Sequence, residues 1–214
     1  MRLVMIGAPG AGKGTQAKIL AKHFGVPHVS TGDLLREHTQ RDNILGLAIK
    51  SIMDTGNLVP DSIVIDLIRD VIDSQTFIFD GFPRTLKQAE ILHKMLMARS
   101  APLHRAVCVT IDHNIIINRM AGRQCCRQCT AIFNLDFNPP ETLGKCDHCG
   151  GELFVRNDDS EPVVRRRLRN YYSLTEPIIR YYRKQGLVYE IEGSNTIEEV
   201  TESIVNELDF MSSH

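Results

Sequence analysis

Short unbroken apolar runs alternate along the chain with longer stretches in which apolar residues recur every three or four positions. The first kind comprises "RLVMIGA" from Arg2, "VPHVS" from Val26, "TFIFDG" from Thr76, "RAVCVTI" from Arg105 and "LVYEI" from Leu187. Runs of this length without polar alternation predict strands buried on both faces. Between them the helical period takes over. Ala17, Leu20, Ala21 and Phe24 share one face of a first helix, which Gly25 is placed to stop. Two small helices are expected between 31 and 56. Asp61 stands where it would cap a helix whose Val64, Leu67, Ile68 and Val71 face inward. Further helices are expected over 86–97, in "HNIIINRMA", from 161 onward and over 197–209. Five short strands with helices between them predict an α/β fold, a five-stranded parallel sheet covered on both sides.

The pattern breaks between 122 and 159, a segment rich in Cys, Gly, Pro, Asn and Asp. Here only "TAIFNL" and "GELFVR" look like strands, and they are expected to pair with each other. A long irregular stretch inside a compact domain needs a physical reason. The cysteines supply one. Cys126-x-x-Cys129 and Cys146-x-x-Cys149 are matched pairs separated by sixteen residues, the spacing of a closed four-thiolate zinc site. Cys125 falls beside the first turn rather than on it. His148 lies inside the second turn and reads as filler, and Cys108 sits in a strand pattern as a small buried hydrophobe. Four protein ligands leave no open position, so this zinc is expected to be structural.

Charge is nearly balanced, 25 Lys and Arg against 26 Asp and Glu, which gives no overall pull toward nucleic acid or membrane. The first strand begins at Arg2 and no apolar run is long enough to span a bilayer, so a cytoplasmic protein without a leader is expected. In a reducing compartment six cysteines do not read as a disulfide framework.

The most specific chemical motif is "GAPGAGKGT", Gly7 to Thr15, lying between a strand and a helix. Glycines let backbone N–H groups converge on phosphate oxygens, and Lys13 adds a cation. Gly14 stands where such loops usually carry a hydroxyl, which moves the hydroxyl to Thr15. A direct contact from Thr15 to magnesium is therefore not assumed.

With "STGDLLR" (30–36), "GNLVPD" (56–61), "FDGFPRT" (79–85), "NRMAGR" (118–123), "FNPP" (137–140), "RNDD" (156–159) and "RRRLRNYY" (165–172) added to that loop, the chain resembles the adenylate kinases of the long form with a zinc-bearing lid. The resemblance covers almost the whole length, with the motifs in the family's order and spacing. It implies a phosphate-loop kinase with a core (1–29, 60–121 and 160–214), a nucleoside-monophosphate flap (30–59) and a zinc-binding lid (122–159). It implies the reaction Mg·ATP + AMP ⇌ 2 ADP, in a monomer with ATP, AMP and ADP as small-molecule substrates and no nucleic-acid or membrane partner.

The resemblance also assigns roles. Gly7, Pro9, Gly10, Ala11, Gly12, Lys13, Gly14 and Thr15 would cradle the ATP phosphates. Arg123 and Arg167 would face those phosphates, and Arg119 the ATP adenine. Arg36, Arg84, Arg156 and Arg167 would grip AMP and the migrating phosphoryl. Thr31 and Gln88 would read the AMP base, with Val59 and Gly81 lining its site. Asp80 would orient Mg2+ through water. Lys13, Arg84, Arg123, Arg156 and Arg167 would be the catalytic set. Such a set suits the chemistry, because phosphoryl transfer to a phosphate needs charge neutralisation and alignment more than a base. Taken alone, each residue has a plainer reading. Arg165, Arg166 and Arg169 read as a solvated helix face, Thr31 as an N-cap, Asp80 as a turn residue and Gln88 as part of an exposed helix face. Asn118 departs from the family, which often has an acid there. Two alternatives remain: a kinase for another monophosphate or with GTP as donor, and a zinc ribbon that binds nucleic acid beside a nucleotide switch. The low charge and low aromatic content disfavour the second.

Overall fold

A computed structural model describes residues 1–41, 43–73 and 76–212. Positions 42, 74, 75, 213 and 214, which fall within the expected segments 30–59, 60–121 and 160–214, lie outside the described residues. In order, the elements are β1 (Arg2–Gly7), α1 (Lys13–Phe24), β2 (His28–Ser30), α2 (Thr31–Thr39), α3 (Ile44–Asp54), α4 (Asp61–Ile72), β3 (Phe77–Asp80), α5 (Leu86–Met97), β4 (Arg105–Thr110), α6 (His113–Ala121), β5 (Arg123–Cys126), β6 (Ile132–Asn134), β7 (Leu153–Phe154), α7 (Glu161–Asn170), α8 (Glu176–Arg183), β8 (Val188–Glu192) and α9 (Ile197–Ser212).

Five strands form a parallel sheet in the order β2-β3-β1-β4-β8. The apolar runs are explained by what lies on either side. Leu3 and Met5 of β1 join one cluster with Ala17, Leu20, Val200 and Ile204 from α1 and α9. Val4 and Ile6 join another with Ile68, Leu92, Ile178 and Tyr182 from α4, α5 and α8. Both pleat faces are dry, so neither tolerates polar residues. Cys108 belongs to the second cluster, and burial pushes its thiol up to about 12. After β1 the chain builds β2 and β3 on one side and β4 on the other. This divergence opens a crevice beyond the carboxyl ends of the strands. Gly7 closes β1 there, and a Cβ on it would lie 2.5 Å from the Val109 carbonyl oxygen.

Four expectations need correction. Asp61 does not cap α4: it is the helix's first residue, Pro60 precedes it, and the carboxylate accepts instead from Thr85 and Gln88. The cap of α2 is Ser30, whose Oγ accepts from the Asp33 N–H at 3.2 Å, which leaves Thr31 inside the helix. The helical pattern from 161 is not one helix. A π-helical turn, Tyr171–Thr175, separates α7 from α8. Pro177 has no N–H to offer the carbonyl four residues back, and the turn ahead of it widens. Finally, β6 and β7 do not pair with each other; both pair antiparallel with β5 between them. "RQCC" hides this central strand because its residues lack the alternation of a half-buried strand.

The antiparallel sheet encloses a small cluster of Cys126, Phe133, Cys146 and Leu153, with Ala131 packed against it. At roughly 2 kcal/mol per buried side chain, this cannot offset ordering costs of about 1–2 kcal/mol for every backbone residue in the insert. Helices α2 and α3 lie outside the parallel sheet, yet Leu35, Ile49 and Val59 share the cluster of Phe79 and Phe82. Among the described residues no helix is long and apolar enough to cross a membrane.

Candidate active site

A cleft of about 480 Å3 opens at the carboxyl ends of the parallel strands. The loop after β1 forms its floor. Gly12, with φ 96°, starts α1 without a side-chain cap, which leaves the first N–H groups of the helix turned toward the cleft. Lys13 folds back over the loop, its Nζ donating to the Ala8 carbonyl at 2.7 Å. Burial, reinforced by Arg84, Arg167 and Arg123, lowers its ammonium to about 8, against the opposing pull of Asp80.

Asp80 ends β3 beside the first turn of α1. A Cβ on Gly14 would lie 2.9 Å from Asp80 Oδ2, so glycine alone leaves room between helix and carboxylate. The next residues turn into α5. Gly81, at φ 80°, is packed between Thr31 Oγ1 and Arg84 Nη2, each 2.9 Å from the position of a Cβ. Its carbonyl accepts from Arg84 Nε and from Thr31 Oγ1, both at 2.8 Å. The widened turn before α8 brings Thr175 Oγ1 to the Arg84 carbonyl at 2.9 Å. Arg84 is thereby held at its guanidinium by Gly81 and at its carbonyl by Thr175.

The other arginines come from all around the cleft. Arg36 pairs with Asp33 at 2.7 Å. Arg123 makes a two-pronged pair with Asp159, its Nε at 2.7 Å from Oδ2. Arg167 Nη1 reaches Asp158 Oδ2 at 2.9 Å and Asp159 Oδ1 at 3.2 Å. Burial and the neighbouring Arg123 lower Arg167 to about 10. Burial alone would raise the Asp158 carboxyl, but Arg167 and Arg123 bring it below the usual range. Arg156 donates from Nη2 to Cys125 Sγ at 3.1 Å, and its buried Nε has no partner among the described residues. Arg119 donates to the Gly193 carbonyl at 2.8 Å and lies 5.2 Å from the Phe137 ring centre.

Every residue that the sequence proposed for nucleotide contact, from Gly7 and Pro9 through Thr15, Thr31, Arg36, Val59, Asp80, Gly81, Arg84, Gln88, Arg119, Arg123, Arg156 and Arg167, lines this one cleft. Eight Lys and Arg side chains line it, against three carboxylates. The excess favours a polyanion. Gln88 corrects an expectation: it is only 2% exposed. The reason is its amide, which accepts from the Arg84 N–H and donates to Asp61, each at 2.7 Å. Arg165, Arg166 and Arg169 are exposed, in keeping with a solvated face.

Other cleft residues had little signal in the sequence. Asp158 lines the cleft and Asp159 is buried behind it, holding Arg123 and Arg167; in the sequence both are only the acidic half of "RNDD". Asp33, Phe137 and the loop from Gly193 to Ile197 also contribute. Lys18 of α1 donates to both the carbonyl and the hydroxyl of Thr130 at 2.8 Å, which ties the first helix to the insert.

At the far side of the insert the sulfurs of Cys126, Cys129, Cys146 and Cys149 all lie within 4.8 Å of one another. The Cys126–Cys149 and Cys129–Cys146 pairs are each 3.5 Å apart. Zinc with Zn–S bonds of about 2.3 Å has sulfur–sulfur edges of about 3.8 Å, so the four thiols fit that ion. Against the raising effect of burial, the N–H groups of Cys129 and Gln128 lower the Cys126 thiol to about 6. Burial and the adjacent sulfurs push Cys129 up to about 12. Four thiolates this close need a cation. Cys125 and His148 are outside the cluster; the His148 ring lies 5.9 Å from that of Phe133.

The adenylate kinase family model matches residues 5–187. An adenylate kinase of Streptomyces avermitilis is 47% identical over 213 residues, 97% of each chain. Those of Methanocella arvoryzae and Archaeoglobus fulgidus are 45% and 44% identical over 208 residues, 95% of this chain and 96% of theirs. With its phosphate loop, its ring of arginines and its four-thiol insert, the chain belongs to the adenylate kinase family.

Proposed function

We propose that the chain transfers the γ-phosphoryl group of Mg·ATP to AMP, reversibly, giving two ADP. The observation that carries this reading is the convergence of eight cations, from segments spread between residues 13 and 167, on a cleft floored by the phosphate loop. The acceptor phosphate is already an anion, so no base is required; the work is to gather negative charge and hold it in line. The loop N–H groups and Lys13 take the donor phosphates. Arg123 and Arg167 meet the phosphoryl as it moves, and Arg36, Arg84 and Arg156 hold the AMP phosphate. A planar guanidinium suits paired phosphate oxygens. Asp33, Asp158 and Asp159 keep these forks oriented before substrate arrives. Arg119 and Phe137 flank the place for the ATP base, and Thr31 and Gln88 read the AMP base beside Val59. Asp80 would hold magnesium through water, and the ion would add charge neutralisation at the phosphates.

In this reading the segment 30–59 is a flap over AMP, 122–159 a lid over ATP, and 1–29, 60–121 and 160–214 the core. Closure excludes water and so suppresses hydrolysis of ATP. Cys126, Cys129, Cys146 and Cys149 would hold a structural zinc that stands in for the core the lid lacks. Cysteines committed to a metal fit a reducing compartment, the cytoplasm.

The direct test is product analysis by anion-exchange chromatography after incubation with Mg·ATP and AMP, GMP, CMP, UMP or no acceptor. Two ADP for each AMP consumed, with the other tubes near blank, is the expected result. Turnover of another monophosphate would overturn the substrate, and ADP with phosphate in the acceptor-free tube would indicate an ATPase.

Lys13 adds a pH signature. Its ammonium titrates at about 8 in the free protein, and phosphate beside it favours the charged form. ATP binding at about pH 9 is therefore expected to take up protons, approaching one per site, and almost none at about pH 6.5. Affinity for ATP falls accordingly as pH rises above 8. Calorimetry in two buffers of different ionisation enthalpy reads the uptake; a value of zero at both pH values would contradict it.

A further inference from the structure

We infer that Asp61, a residue outside the cleft, helps to set which purine the acceptor site takes by fixing the orientation of the Gln88 amide. The inference rests on the proposed reading of Gln88 as a base contact. Gln88 lies in the wall of the cleft, buried, at the start of α5. Its Oε1 accepts from the backbone N–H of Arg84 and its Nε2 donates to Asp61 Oδ1, both at 2.7 Å. Asp61 is not part of the cleft lining. It stands in the first turn of α4, where the helix end favours a carboxylate. Both its oxygens lie 3.2 Å from the hydroxyl of Thr85. That hydroxyl also caps α5, accepting from the Gln88 N–H at 3.1 Å.

An amide presents an acceptor beside a donor, and half a turn about its last bond exchanges them. A 6-amino purine offers the base-side complement in one order, an amino donor beside the ring N1 acceptor. A 6-oxo purine offers the reverse, an O6 acceptor beside an N1–H donor. An unrestrained glutamine would turn and accept either. Here the turned amide meets two penalties. Its NH2 would face the Arg84 N–H, and its carbonyl oxygen would face the Asp61 carboxylate. The first comes from the backbone and no side-chain change removes it. The second is supplied by Asp61 alone. Discrimination between amino and oxo purines is therefore built partly from a carboxylate that the substrate does not touch, which makes Asp61 a positioning residue.

The test compares AMP with IMP, which differ at this edge of the base, as acceptors for the full-length protein with Mg·ATP. Asn at position 61 can turn either face of its own amide to Gln88, so Asp61→Asn removes one penalty and keeps the volume. The ratio of kcat/KM for AMP to that for IMP is expected to fall about tenfold, the worth of one buried mismatch, with the loss for AMP appearing in KM. Asp61→Ser, which removes the carboxylate outright, should move the ratio in the same direction and serves if the asparagine variant does not fold. Gln88→Leu is the control for the underlying reading. If it lowers the ratio and both Asp61 variants leave it unchanged, Gln88 reads the base and the inference about Asp61 fails alone. Equal losses with AMP and IMP in the Asp61 variants would reduce Asp61 to a structural role and overturn the inference. A ratio untouched by Gln88→Leu would overturn both.

Discussion

Replacing Arg123 with alanine is expected to lower kcat by roughly 10³-fold, with much smaller changes in the affinity for either nucleotide. Removing one preorganised donor from a site of developing charge costs about 10²–10³ in rate, and phosphoryl-transfer arginines reach above that range. Arg123 suits such a role because its fork is already aimed: Asp159 holds it on two prongs. The same carboxylate is shared by Arg167 at 3.2 Å, so it keeps a partner when Arg123 is removed. The fold should therefore survive the substitution while the chemistry suffers. Arg123→Lys should rescue little, since an ammonium supplies one point of charge where a two-pronged donor is needed. Quenched-flow measurement of the first turnover separates this step from product release. A first-turnover rate within a few-fold of the parent would remove Arg123 from the transfer step.

The second large effect falls on stability. Cys129→Ser should lose the proposed zinc and lower the melting temperature by about 10 °C, taking metal loss at about 4 kcal/mol and about 2–4 °C per kcal/mol for a chain of this size. The first-turnover rate at low temperature should change far less, because the sulfur cluster contributes no group to the cleft lining. The reasoning lies in the insert's own packing. Four buried side chains, two of them cysteines, with Ala131 packed against them, make its apolar cluster, and the three short strands around them have little else to hold them. A chelator acting on the parent protein should reproduce the shift. Unchanged melting together with unchanged zinc content in the variant would show that Cys129 does not hold the metal.

Much of this architecture is legible in the sequence because the physics behind it is local. A strand dry on both faces must be apolar at every position, so β1, β3 and β4 announce themselves. A phosphate loop needs glycines and a lysine in one short stretch. The two Cys-x-x-Cys turns carry their geometry in their spacing. What escapes is set by partners distant along the chain. Gln88 looks like a surface residue until Asp61, twenty-seven positions earlier, supplies the acceptor for its amide. Asp158 and Asp159 look like a solvated acidic pair until Arg123 and Arg167 close on them. The strand β5 is polar and sulfur-rich because its neighbours are a cluster of thiols and a cleft, rather than an apolar core. The π-helical turn is foreshadowed by Pro177, but its use, bringing Thr175 to Arg84, depends on a segment ninety-one residues away.

The grip of Lys18 on Thr130 has a consequence for how the proposed lid is distributed between positions. Both hydrogen bonds form between protein groups, so under the proposed lid reading they favour the arrangement that keeps the insert against α1, whether or not nucleotide is bound. A site whose competent form is only partly populated binds with an affinity reduced by that fraction. Each contact of this kind therefore raises the closed fraction of the empty protein and tightens apparent binding of ATP. It also has to break before product can leave. Under the proposed lid reading, Lys18 would set a balance between affinity and turnover through Thr130, without touching the phosphoryl group.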